Sequence, residues 1–98
     1  MERGIIIGKL KSLRPLLEAE GVRHAAMFGS RARGDNRADS DLDILLEVDP
    51  VSIFSILGLV GVEEITSKAI GIETNAFMRR SLDSAFRDSI KADVNEVF

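Results

Sequence analysis

The chain has 98 residues, 45% hydrophobic and 30% charged, with a net charge of −3, a globular composition that suits one domain over residues 1–98 and one core. The absence of cysteine excludes disulfides, thiolate zinc sites and cysteine nucleophiles, and the slight acidity excludes a basic nucleic-acid sleeve, so no direct nucleic-acid binding is expected. No apolar run approaches about 18 residues, and Met1-Glu2-Arg3-Gly4 lacks the basic-then-apolar layout of a signal peptide, so the expectation is a cytoplasmic protein with no membrane contact.

Apolar side chains at Ile6, Leu10, Leu13 and Leu17 keep one face at helical spacing and predict a first helix over residues 5–20. Pro15 kinks or restarts it, and Gly21 ends it as a left-handed cap. Val22 to Phe28 is a short apolar run between glycines, which favours a buried strand. The polar stretch Ser30 to Ser40 predicts a short helix or an irregular connection. Leu42 to Val48 is the second strand, with Leu42, Ile44 and Leu46 on one face and Asp43, Leu45 and Glu47 on the other.

After Pro50, Ser52 is placed to cap a helix running to about Ala69, whose shared face takes Ile53, Ile56, Leu57, Val60 and Glu64. Gly58 and Gly61 weaken it by about 1 kcal/mol each, which close packing on a sheet offsets. Gly71 to Phe77 reads as a third strand. Ser81 is placed to cap a last helix with the stripe Leu82, Ala85, Phe86 and Ile90, and residues 94–98 fit either a helix end or a short strand.

With one His, no Trp and no Tyr, any chemistry rests on carboxylates and a metal. The informative stretch runs from Phe28 to Val48, where Gly29 and Ser30 leave a strand and Asp41-x-Asp43 begins the next one. Gly29 lets the backbone turn sharply and approach a phosphate. Ser30 and the amides after it can donate to phosphate oxygens, and a helix starting there adds a favourable dipole. Asp41 and Asp43 project to one side of a strand, where they can share hard cations such as magnesium. A two-metal arrangement there would activate an attacking hydroxyl and neutralise a leaving pyrophosphate.

Gly29-Ser30-x-Ala32-Arg33-Gly34 followed by Ser40-Asp41-x-Asp43 resembles the minimal nucleotidyltransferase family, small members of the polymerase-β-like superfamily. The resemblance covers essentially the whole chain. It implies an α/β (α+β) nucleotidyltransferase fold, a small mixed sheet flanked by about four helices. It also implies two magnesium ions, ATP as the substrate, and transfer of a nucleoside monophosphate with release of pyrophosphate. Many such proteins resemble antitoxins that adenylylate a HEPN-type toxin, and a second copy in a homodimer is a further possible partner.

Carried over by position, Gly29 and Ser30 hold the triphosphate, and Asp41 and Asp43 bind the metals. The third carboxylate of the family, an aspartate on the third strand, falls on Glu73, which completes the catalytic and metal set. Glutamate is longer by roughly 1.5 Å, so binding can survive where transfer does not. Arg33 is a nucleotide-binding candidate that touches phosphate or the acceptor protein, or else pairs with Asp35 or Asp39; Arg31 touches phosphate or the acceptor protein, or is solvated. His24 reads as a packed or edge residue, Arg79-Arg80 as a solvated strand exit, and Glu63-Glu64 as helix surface. Three functions follow: a protein adenylyltransferase, a partner-binding module that has lost catalysis, and a small-molecule nucleotidyltransferase subunit.

Overall fold

A computed structural model of the chain describes residues 1–51 and 56–98. Two short helices open it, α1 over Arg3–Ser12 and α2 over Arg14–Ala19. Pro15 stands in the first turn of α2, where its missing N–H has no helical partner to lose, so the helix restarts there. Gly21 follows at φ +102°, its N–H donating to the Glu18 carbonyl at 3.0 Å, and closes α2 with the left-handed turn expected of it.

Strand β1 covers Val22–Phe28, the single-turn helix α3 covers Ser30–Arg33, and β2 covers Leu42–Val48. Helix α4 is described over Ile56–Ile70, and β3 spans Thr74–Met78. A 3₁₀ turn at Arg79–Ser81 leads to α5 over Ser84–Ile90, and β4 over Asn95–Glu96 follows. The sheet order is β3-β2-β1-β4. Strand β1 is antiparallel to β2 and β4, while β2 and β3 are parallel. This is the mixed sheet with flanking helices of the expected α+β class.

The two faces of β2 divide the packing as side-chain alternation requires. Leu42, Ile44 and Leu46 join Ile6, Leu10, Leu17, Val62 and Ile70 in the main core, while Leu45 packs with Ala26, Phe28 and Ile90 on the opposite face. Burying an aliphatic side chain such as Ile6 or Leu10 contributes about 1.5–3 kcal/mol, so α1 is fastened to the sheet by its apolar stripe. Asp43 shares the face of Leu45 and therefore escapes the main core.

Several boundaries differ from expectation. Ser52 and Ile53, the expected cap and first apolar position of α4, lie outside the described residues. Within α4 the core-facing residues are Val62, Thr66 and Ile70, whereas Ile56 and Leu57 are 76% and 82% exposed. The apolar spacing of Ile56, Leu57 and Val60 is real, but it faces away from the sheet. Gly61 is not pressed on the sheet either, since a Cβ there would meet the Glu20 carboxylate, Oε2 lying at an ordinary 3.7 Å.

Gly71, at φ +80°, ends α4 by donating its N–H to the Ser67 carbonyl at 2.8 Å, so β3 starts at Thr74 instead of Gly71. Two α4 side chains then fix the outer edge of β3. Ser67 Oγ accepts the Thr74 N–H at 3.0 Å, and Glu63 Oε2 accepts the Ala76 N–H at 2.8 Å. Glu63 thus covers a strand edge that would otherwise present unpaired donors, and is not the free helix-surface residue expected.

At the other end of the sheet Arg79 donates to Glu47 at 3.0 Å and to Glu96 at 2.9 Å, tying β2 to β4 instead of marking a solvated strand exit. Asp83, not Ser81, caps α5 by accepting the Phe86 N–H at 2.8 Å. The ambiguous last residues resolve as a strand, with Asn95 and Glu96 paired to Met27 and Ala26.

Candidate active site

The site begins at the turn that leaves β1. Gly29 has φ +80° and ψ −161°, a backbone region that is essentially closed to residues with a Cβ. Ser30 opens α3, whose single turn is closed by the Arg33 N–H on the Gly29 carbonyl at 3.0 Å. Gly34, at φ +85°, ends it. The glycine bend therefore turns the backbone at once from an extended strand into a helical turn.

The next element brings the acids to this bend. In the β1–β2 pairing Phe28 lies opposite Asp43, one residue before Gly29. The approach is so close that a Cβ on Gly29 would sit 2.5 Å from Asp43 Oδ2. Asp41 is exposed just before β2, while Asp43 is half-buried. Their carboxylates border one space: Asn75 Nδ2 donates to Asp41 Oδ2 at 3.1 Å and to Asp43 Oδ1 at 3.4 Å. Hard oxygen donors held this way are the chemistry a divalent cation such as magnesium requires, so Asp41 and Asp43 fit one such ion.

Burial pushes the Asp43 carboxyl above its ordinary pKa, and the Asp41 charge adds to that, against opposing contributions from the Asn75 hydrogen bond and the Arg33 charge. A raised folded-state value means that folding favours the protonated acid. The contribution to stability is then full below the unfolded value and is lost as pH rises through the folded one. Asp43→Asn, which is neutral throughout, is therefore expected to melt higher than the parent at pH 7 in metal-free buffer. Thermal melts at pH 7 and near pH 4 check this, the gain shrinking at the lower pH.

The third acid is not where the sequence places it. Glu73 precedes β3 and is exposed, and the β3 residue aligned with Asp43 is Asn75. Among the described residues no three His, Cys, Asp or Glu side chains come together as a metal cluster, so Glu73 does not complete one with Asp41 and Asp43. The cause is register: Asn75 pairs opposite Asp43, whereas Glu73, two residues earlier, meets β2 through its carbonyl, which accepts the Leu42 N–H at 2.8 Å.

The arginines also separate. Arg31 is 5% exposed, with Nε donating to the Ser40 carbonyl at 2.8 Å and Nη2 to the Ala38 carbonyl at 3.3 Å. It is a buried clamp that holds the loop ahead of Asp41, neither solvated nor turned to a phosphate. Arg33 pairs with Asp35 at 3.0 Å, one of its two expected partners, and with the unforeseen Asp93 at 2.8 Å. His24 is exposed in β1 opposite Glu47, far along the strand from the bend.

Two hollows flank these elements. One of about 310 Å³ lies between α4 and β3, bordered by Val60, Glu63, Ser67, Glu73 and Asn75. A larger one of about 460 Å³, bordered by Leu45, Leu82, Arg87 and Ile90, contains none of the expected site residues. No helix among the described residues is long and apolar enough to cross a membrane.

A family model described as nucleotidyltransferase domain matches residues 6–97. The protein adenylyltransferase MntA of Thermococcus cleftensis is 32% identical over 81 residues, covering 83% of this chain and 80% of its own length. Structurally, the chain superposes with TM-score 0.74 and 15% identity on a chain from a toxin-antitoxin crystal structure with AMP-PNP, over 92% of this chain and 72% of that one. It also superposes, with TM-score 0.69 and 12% identity, on a chain from the complex of a tri-AMPylated Shewanella oneidensis HEPN toxin with an MNT antitoxin, over 98% of this chain and 71% of that one. At these identities the superpositions show a shared fold.

Proposed function

The chain belongs to the nucleotidyltransferase domain family, and on that premise we propose that it holds ATP with magnesium and passes AMP to a hydroxyl of a protein partner, as the antitoxin of a HEPN-type toxin. The observation that carries this reading is the contact between the bend and the acid pair, with Gly29 packed directly on Asp43 and Asp41 beside it on the same Asn75 amide. Asp41 and Asp43 hold the cation, which when bound neutralises phosphate charge and steadies the leaving pyrophosphate. Ser30 and the neighbouring amides orient the phosphates. Arg33 reaches a phosphate by giving up its pairs with Asp35 and Asp93, of which the solvent-exposed Asp35 pair is the one of low cost.

A protein acceptor suits the surface. Ile56, Leu57 and Val60 leave apolar area exposed on α4, and Val60 also borders the hollow that reaches Asn75, the kind of patch that marks an interaction face. The test incubates the purified chain with α-labelled ATP, magnesium and a HEPN-type protein from the same genome. The expected outcome is label on that protein, abolished by EDTA. Label on a small hydroxyl compound with none on the protein would contradict the choice of acceptor.

A second reading, in which the chain binds nucleotide and partner without transfer, has one observation in its favour: the acid pair faces the neutral amide of Asn75. Nucleotide binding without any label transfer would establish it.

A further inference from the structure

Resting on the nucleotide site proposed above, we infer that this chain takes one divalent cation where a three-carboxylate site would take two, and that Asn75 is the residue that sets the count. The position is decided by pairing, since Asn75 lies opposite Asp43 in the parallel β2–β3 register. Its amide nitrogen stands 3.1 Å from Asp41 Oδ2 and 3.4 Å from Asp43 Oδ1. Ionised carboxylates only accept hydrogen bonds, so it is the NH₂ end, with a hydrogen for each acid, that must face them.

The electrostatics follow from that placement. Two carboxylates bring two negative charges, which one divalent cation neutralises. The amide adds neither charge nor a base for an acceptor hydroxyl. With the nucleotide bound, its Oδ1 can turn to the cation as a neutral ligand, which supports the first ion without supplying a second site. Among the described residues no other acid on the surrounding elements replaces it. Glu73 is exposed before the strand, Glu63 is committed to the Ala76 N–H at 2.8 Å, and the described residues hold no cluster of three potential ligands.

Asn75→Asp changes the charge while keeping shape and strand position. It supplies the missing carboxylate at the place where Asp41 and Asp43 already point.

The test counts manganese bound per chain by electron paramagnetic resonance, with AMP-PNP saturating. The wild-type protein is expected to bind one ion and Asn75→Asp two, with a higher rate of label transfer from ATP in the variant. Two ions on the wild-type protein overturn the inference without recourse to any variant, and a folded Asn75→Asp that stays at one overturns it as well. Failure of the wild-type chain to bind AMP-PNP at all is a different result, which removes the nucleotide site on which the inference rests.

Discussion

Asp43→Asn is expected to lower magnesium-dependent ATP affinity by more than about 100-fold, since even residues that only orient a metal ligand are worth 10–100-fold. The substitution keeps the shape of the side chain and its place opposite Phe28, but removes a charge from a pair that no third acid joins among the described residues. Asp41→Asn is expected to act in the same direction. The loss is expected to reflect binding and not unfolding, because burial already disfavours the ionised Asp43 and the neutral variant is expected to melt no lower than the parent. Asp39→Asn is the control, as Asp39 is exposed and outside the pair. Titration calorimetry with ATP and magnesium decides the matter: unchanged affinity in both variants would remove the acids from the site.

Gly29→Ala is expected to cost about 2–6 kcal/mol of stability, combining backbone strain of about 1–3 kcal/mol with a steric conflict of similar size. The conflict is specific, because the new Cβ would lie 2.5 Å from Asp43 Oδ2. Either the carboxylate moves or the bend does, and both disturb the proposed cation site, so ATP binding falls with stability. Gly34→Ala separates the two causes. Gly34 has φ +85° but nothing within 4 Å of its missing Cβ, so that variant carries only the left-handed strain of about 1–2 kcal/mol and leaves ATP affinity near the parental value. Denaturant unfolding of both variants gives the difference; equal losses would mean that Gly29 and Asp43 do not touch.

The parts of this molecule legible in the sequence are those set by near neighbours. Val22–Phe28 and Leu42–Val48 are short apolar runs whose ends are marked by glycine or acid, and both strands form over those residues. Alternation along Leu42–Val48 was enough to put Asp43 and Leu45 on one face and Leu42, Ile44 and Leu46 on the other. Pro15 and Gly21 carried their own local geometry.

What stayed hidden depends on distant contacts. Glu73 and Asn75 have the same parity, so no period-two pattern distinguishes them; the choice is made by the register in which β3 pairs with β2, which sets Asn75 opposite Asp43. One local signal does favour Asn75, namely the apolar run Ala76-Phe77-Met78 that follows it directly. Arg31 shows the same limit. A charged residue in a polar stretch reads as solvated, and only the return of the loop over it, offering the Ala38 and Ser40 carbonyls, makes its burial tolerable. The partnership of Arg33 with Asp93 spans 60 residues and has no trace in local sequence.

The most direct measurement is a crystal structure of the wild-type chain with AMP-PNP and magnesium. The expected result is phosphate oxygens against the Ser30 amide and its neighbours, with the cation coordinated by Asp41 and Asp43. Nucleotide seated instead in the hollow between Leu45 and Ile90, or a cation that touches neither aspartate, would contradict the account.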